Sequence, residues 1–275
     1  MRTRRQEFIR RRQRRSALIA AASTAAVVIA LGVLVPRMPG WEKVKASFFD
    51  GDTWWLSWEK LPGRFWYDVQ IFLWSAPIIV VVALLVALAR NVRNPALYPL
   101  KLLATLYTDL VRGVPVVLWI YLIGFGVPGL LQSREWSKPI IWATVALVLA
   151  YSAYVAEVFR SGIESIHESQ RAAARSLGLS NGQTMRHVVL PQAMRRVVPP
   201  FMNDMVSLQK DVALVSFIGP VEALRQAQIT KSLENNFTSY VVAAILFLCV
   251  SIPLTRITDH LLQRERIRMS GTNIA

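Results

Sequence analysis

The residues with most chemistry to offer lie in an unusual place. Asn203, Asp204, Ser207, Lys210 and Asp211 sit inside an otherwise apolar stretch, 199–224. At about 100° per residue they cover an arc of about 120°, so a helix there carries one polar face. A charge at the centre of a membrane span costs about 2.5–3.5 kcal/mol on insertion scales. Such a stripe therefore either lines a water-filled pathway, or sits near one boundary where Lys210 and the aspartates snorkel or pair. Both readings stand at this point. Asp109 and Arg112, three apart at the start of another span, read as a structural pair rather than as substrate contacts. Glu157 beside Arg160 reads as a pair at the cytoplasmic boundary. Catalysis has less to stand on. His167, His187 and His260 are scattered, no stretch matches G-x-x-x-x-G-K-[ST], and the lone Cys249 builds no disulfide framework or metal site. The chain is expected to be non-catalytic, with no metal and no cofactor of its own.

The elements that must position these residues are membrane helices. The 275 residues are 53% hydrophobic with mean hydropathy +0.36, above what a soluble domain carries. Six apolar segments are predicted as spans, at 16–35, 65–89, 105–131, 140–159, 199–224 and 239–253. The net charge of +15 would suit nucleic acid, but its placement argues otherwise. Eight arginines precede the first apolar run. With the N-terminus inside, segments 1–15, 90–104, 160–198 and 256–275 hold 21 Lys and Arg, against nine in 36–64, 132–138 and 225–238. That asymmetry predicts an all-α bundle with both termini cytoplasmic. The first apolar run is about 20 residues, longer than the 7–15 of a signal-peptide core, and reads as an uncleaved anchor. The tryptophan-rich stretch 41–66 reads as a helix lying at the interface.

The long internal loop, 160–198, is built like folded structure. Ser169 can cap a short helix through Ala172, Ala173, Ala174 and Leu177, and Gly178 suits a left-handed stop. Ser180 and Gln183 have capping-box spacing for a second helix, and Pro191 suits the first turn of a third. Two stiff short helices meeting at a glycine make a protrusion fit for a groove on another protein.

Here a family resemblance becomes specific. The run Gln170-Arg171-Ala172-Ala173-Ala174-Arg175-Ser176-Leu177-Gly178, then nine residues, then Val188-Val189-Leu190-Pro191, resembles the EAA loop of ABC-importer permeases. The stretch from Tyr107 through Asp109, Arg112 and Gly113 to Pro115 is similar to the opening of a core span in permeases for histidine, glutamine, glutamate, arginine and opines. Residues Pro199 to Leu214 are similar to the segment that follows the loop there. Two departures stand out: Ala172 replaces the loop's usual glutamate, and Val212 and Ala213 replace a Thr-Ser pair. The resemblance covers about 65–262, a five-span permease core. Residues 1–64 add a basic tail, an extra transmembrane helix and an external aromatic segment, and 263–275 form a cytoplasmic tail.

The resemblance implies a translocation subunit in the bacterial inner membrane that moves a polar amino acid inward by alternating access. Gln170, Ala172, Ala173, Ala174, Leu177, Gly178, Leu190 and Pro191 would couple it to separate ATPase subunits, which bind ATP and Mg. A second permease copy or sister subunit, and an extracellular or periplasmic substrate-binding protein, would complete the assembly. The rivals are an EAA-type importer for another small solute, such as an opine, a sulfur amino acid or a quaternary amine, and a membrane-anchored interaction protein whose loop docks a partner that is not an ATPase.

Overall fold

The computed structural model describes residues 2–92, 94–131, 136 and 138–271, with side chains from 15 to 263. Most of the tail expected at 263–275 therefore lies outside the described side chains, as does most of the outer segment 132–138. The described residues form α-helices with short 3-10 and π turns and contain no strand. In order they are α1 (Arg2–Leu34), α2 (Trp41–Phe48), α3 (Gly51–Arg90), α4 (Tyr98–Arg112), α5 (Val116–Leu131), α6 (Pro139–Glu164), α7 (Glu168–Ser176), α8 (Asn181–Thr184), α9 (Leu190–Asp211), α10 (Ala223–Glu234) and α11 (Thr238–Gly271).

Helix α6 is the centre of the bundle and packs against α3, α4, α5 and α9. Ala143, Ala146, Ala150 and Ala153 recur every three or four residues along it and are fully buried. Without a hydrophobic drive between helices in lipid, small side chains let backbones approach and gain dispersion contacts. The facing row on α3, Ile79, Ala83 and Ala87, is buried as well. Gly162 near the end of α6 lies so close to α9 that an added Cβ would meet Val197 Cγ2.

Four stretches are long and apolar enough to cross a bilayer: Arg15–Arg37, Trp41–Arg90, Pro139–Glu164 and Thr238–Gln263. Three of the sequence expectations need correcting. The span expected at 105–131 is two helices, α4 and α5, bent by 109°. Pro115 disfavours the α conformation before it and offers no N–H to the preceding turn, so α4 ends at Arg112. The freed carbonyl of Val111 accepts the indole N–H of Trp119 at 3.1 Å, which ties the corner. The span expected at 199–224 is instead α9, which at 22 residues is long enough but too polar to stand among the apolar stretches, and which gives way to a 3-10 turn at Val212–Ile218. Counting the bent pair once, five stretches among the described residues are long and apolar enough to cross, and the more polar α9 joins them in the bundle. Lastly, the aromatic stretch 41–66 is not one helix: Trp41–Phe48 form α2. Its residues from Gly51 onward belong to α3, which at 40 residues is about 60 Å long, twice the bilayer core.

That overlong helix is held at its far end by the turn before α11. The Phe237 N–H donates to Ser47 O at 2.6 Å and the Asp50 N–H to Thr238 Oγ1 at 3.0 Å. The buried hydroxyls of Ser57 and Ser239 lie 2.9 Å apart, and Phe48 stacks on Phe237. Helix α1, by contrast, buries none of its described side chains.

Candidate functional site

The protrusion between α6 and α9 is a rigid piece. Gly178 has φ +87°, the left-handed region that favours glycine. Around it the Leu179 N–H donates to Ala174 O at 3.2 Å and the Gly178 N–H to Arg175 O at 2.9 Å, the paired bonds of a Schellman stop. Two residues on, Ser180 and Gln183 form the reciprocal capping box that opens α8. The start of α7 differs from expectation: His167, not Ser169, is the cap, its Nδ1 accepting the Ser169 N–H at 3.2 Å. With His167 as the cap, α7 begins at Glu168. Pro191 does stand at the opening of a third helix, α9. The chain runs from α8 through a π-turn at Met185–Val189 into α9, with Pro191 in its first turn where the missing N–H costs nothing.

Two arginines fasten this arm to the bundle. Arg171 donates to Ile163 O at 2.9 Å, and Arg196 donates to Ser165 O, both at carbonyls where α6 ends. Ile166, Val189 and Ala193 form a small core beneath, with Ile163 against it. Of the residues expected to couple, Gln170, Ala172, Ala173, Leu177, Gly178, Leu190 and Pro191 are exposed, whereas Ala174 is buried. Leu177 is 84% exposed at the corner itself.

The polar stripe divides in two. Asp211 accepts the Tyr151 hydroxyl at 2.7 Å, and Asp204 Oδ2 is buried without a partner. Asn203 and Ser207 are exposed on the same helix. Lys210 turns the other way, into a cavity of about 610 Å³ shared with Phe247, Ser251, Thr255 and Asp259 of α11. Among the described residues it forms no ion pair with Asp204 or Asp211. Beside it Gln209, missed by the charge pattern, is buried and accepts the Ser251 hydroxyl at 2.6 Å.

The expected Asp109–Arg112 pair is replaced by another. Arg112 sits at the end of α4, 3.6 Å from Glu157, while Asp109 is exposed. The 109° corner brings the last turn of α4 against α6, so the guanidinium finds a half-buried carboxylate there rather than one on its own helix. Glu157 does pair with Arg160, at 2.5 Å, and gains Arg90 at 2.6 Å. Arg90 was legible only as a flank of its span, because nothing local links it to Glu157.

A polytopic bundle with an arm folded between two central helices is the architecture of a transport permease. The family model described as "Binding-protein-dependent transport system inner membrane component" matches residues 80–267, and the chain belongs to that family. It is thus a multi-pass inner-membrane component of a transport system that depends on a binding protein. A probable glutamine ABC transporter permease protein of Bacillus subtilis is 32% identical over 167 residues, 60% of this chain and 76% of the relative. An L-cystine transport system permease protein of the same organism is 28% identical over 86% of this chain and 94% of its own length. A crystal structure of an amino acid ABC transporter with histidines superposes with a TM-score of 0.67 at 28% identity, covering 74% of this chain and 92% of the other.

Proposed function

We propose that this chain is the translocation subunit of an ATP-driven importer for a polar amino acid, with both termini in the cytoplasm. Relatives named for glutamine and cystine support the solute class, and the excess of Lys and Arg on one side supports the orientation. A pair of separate ATPase subunits binds ATP and Mg and grips the arm 168–191. A second permease, identical or a sister chain, lies alongside, and a binding protein delivers solute from outside. Residues Asn203, Asp204, Ser207 and Asp211 face the route, which opens to one side at a time.

The observation that carries this reading is the exposed Leu177 on a corner braced by the Schellman bonds and by Arg171 and Arg196. A push on a loose loop is absorbed locally; a push on this one reaches α6 and α9. The alanines are small enough for a partner's groove to close over the helix. Tagged chain, expressed with its gene neighbours and reconstituted, should bring down an ATPase and take up a polar amino acid only with ATP. Capture of a partner lacking ATPase activity, with no uptake, would favour the interaction-protein reading instead.

A further inference from the structure

A cavity of about 850 Å³ opens where α3 ends, α4 begins and α6 approaches the arm. Arg90, Tyr98, Lys101, Thr105, Arg160 and Glu164 line it. None of these residues belongs to the polar stripe of α9, so the cavity lies apart from the proposed route. Its charge is built rather than scattered. Arg90 is held by Glu157 at 2.6 Å with its side chain only 10% exposed, and Arg160 is held by both Glu157 and Glu164. These carboxylates fix two guanidinium groups, each of which has five N–H donors and spends only some of them. Arg112 adds a third cation on Glu157, and the exposed Lys101 forms no ion pair among the described residues. Among the described residues, Arg90, Lys101 and Arg160 at the cavity are set against Glu157 and Glu164, an excess of one positive charge.

Position names the source of the anion. Arg90 closes one crossing helix and Glu164 another, so the cavity sits at the level where the bilayer core ends. The two helices that frame it carry exposed leucines running back into the apolar zone, Leu84 and Leu88 on α3 and Leu102 and Leu106 on α4. We propose that this cavity binds the phosphate of an anionic phospholipid headgroup, with Lys101 and the clamped Arg90 and Arg160 as donors and the acyl chains beside those leucines. Basic pockets between transmembrane helices on the cytoplasmic side suit such headgroups, and a planar guanidinium matches phosphate oxygens. The site is at the cytoplasmic leaflet by the orientation proposed above, but it does not depend on which solute is carried.

The test is native mass spectrometry of the assembled transporter, titrated separately with phosphatidylglycerol and phosphatidylcholine. Phosphatidylglycerol should bind in preference, and Lys101→Gln should weaken it about fivefold at an unchanged melting temperature, with Lys101→Arg restoring it. Millimolar inorganic phosphate should leave the bound lipid in place. Equal binding of the two lipids, or full binding by Lys101→Gln, would overturn the proposal. Displacement of the lipid by inorganic phosphate would assign the cavity to a soluble anion and overturn the lipid source. Loss of the ATPase from the Lys101→Gln complex would mark the cavity as a protein contact and overturn it too. Each readout is of binding, so a chain that imports nothing in an uptake assay leaves the lipid result intact.

Discussion

Arg90 and Glu157 lie 67 residues apart in the chain and 2.6 Å apart in the fold, joining the end of α3 to α6. With Arg160 and Arg112 also on Glu157, one carboxylate holds three helices at the boundary of the membrane. Replacing Glu157 with Gln leaves clustered guanidinium groups without their counter-charge. We expect a loss of about 2–4 kcal/mol, seen as a lowered melting temperature of the detergent-purified complex. Adding Arg90→Met should recover part of it, because the stranded charge is then removed as well.

Gly178→Val should leave membrane insertion intact and uncouple the transporter. A β-branched residue at φ +87° is strongly disfavoured, so the corner must change shape. Uptake and substrate-stimulated ATP hydrolysis in reconstituted complex should both fall to background, at a melting temperature near that of the parent.

The contact at Gly162 offers an independent test of how the arm is anchored. Gly162→Ala places a methyl against Val197, and overpacking of this kind costs about 1–3 kcal/mol. Val197→Ala in the same chain makes room and should restore most of the stability. A double variant no better than Gly162→Ala alone would mean that α6 and α9 do not touch there.

Lys210 and Tyr151 separate pathway from scaffold. Lys210 has neither aspartate as a partner and turns toward α11, away from the proposed route, so Lys210→Met should leave both its melting temperature and uptake near those of the parent. Tyr151→Phe removes the donor to half-buried Asp211 and should cost about 1–3 kcal/mol. Lost uptake at an unchanged melting temperature for Lys210→Met would put the lysine on the route, and unchanged uptake with a lowered melting temperature would place it in the scaffold.

The arm was readable in the sequence because its signals are local. Gly178 stops one helix and Ser180 with Gln183 opens the next, each within four residues. The interior was readable only as composition. Small residues on α6 and an apolar row on α3 predict burial, but not that Arg112 leaves Asp109 for Glu157, nor that Arg90 joins it. Such pairings depend on the corner at Gly113 to Pro115. Its breaker residues stand in the sequence, yet the apolar run continues on both sides and reads as one straight span. The stripe at 203–211 was visible as a polar face, but the division that sends Lys210 toward α11 and Asp211 toward Tyr151 belongs to tertiary packing.

The central claim is that the exposed corner at Leu177 seats in a groove on an ATPase subunit, and a site-specific photocrosslinker in place of Leu177 tests it most directly. In membranes containing the whole transporter, irradiation should join the chain to the ATPase subunit, with a yield that changes when ATP is trapped. The same probe at Leu130, an exposed residue near the opposite end of α5, should give no such product. Crosslinking from Leu177 to lipid or to an unrelated protein alone, with the ATPase present and active, would contradict the account.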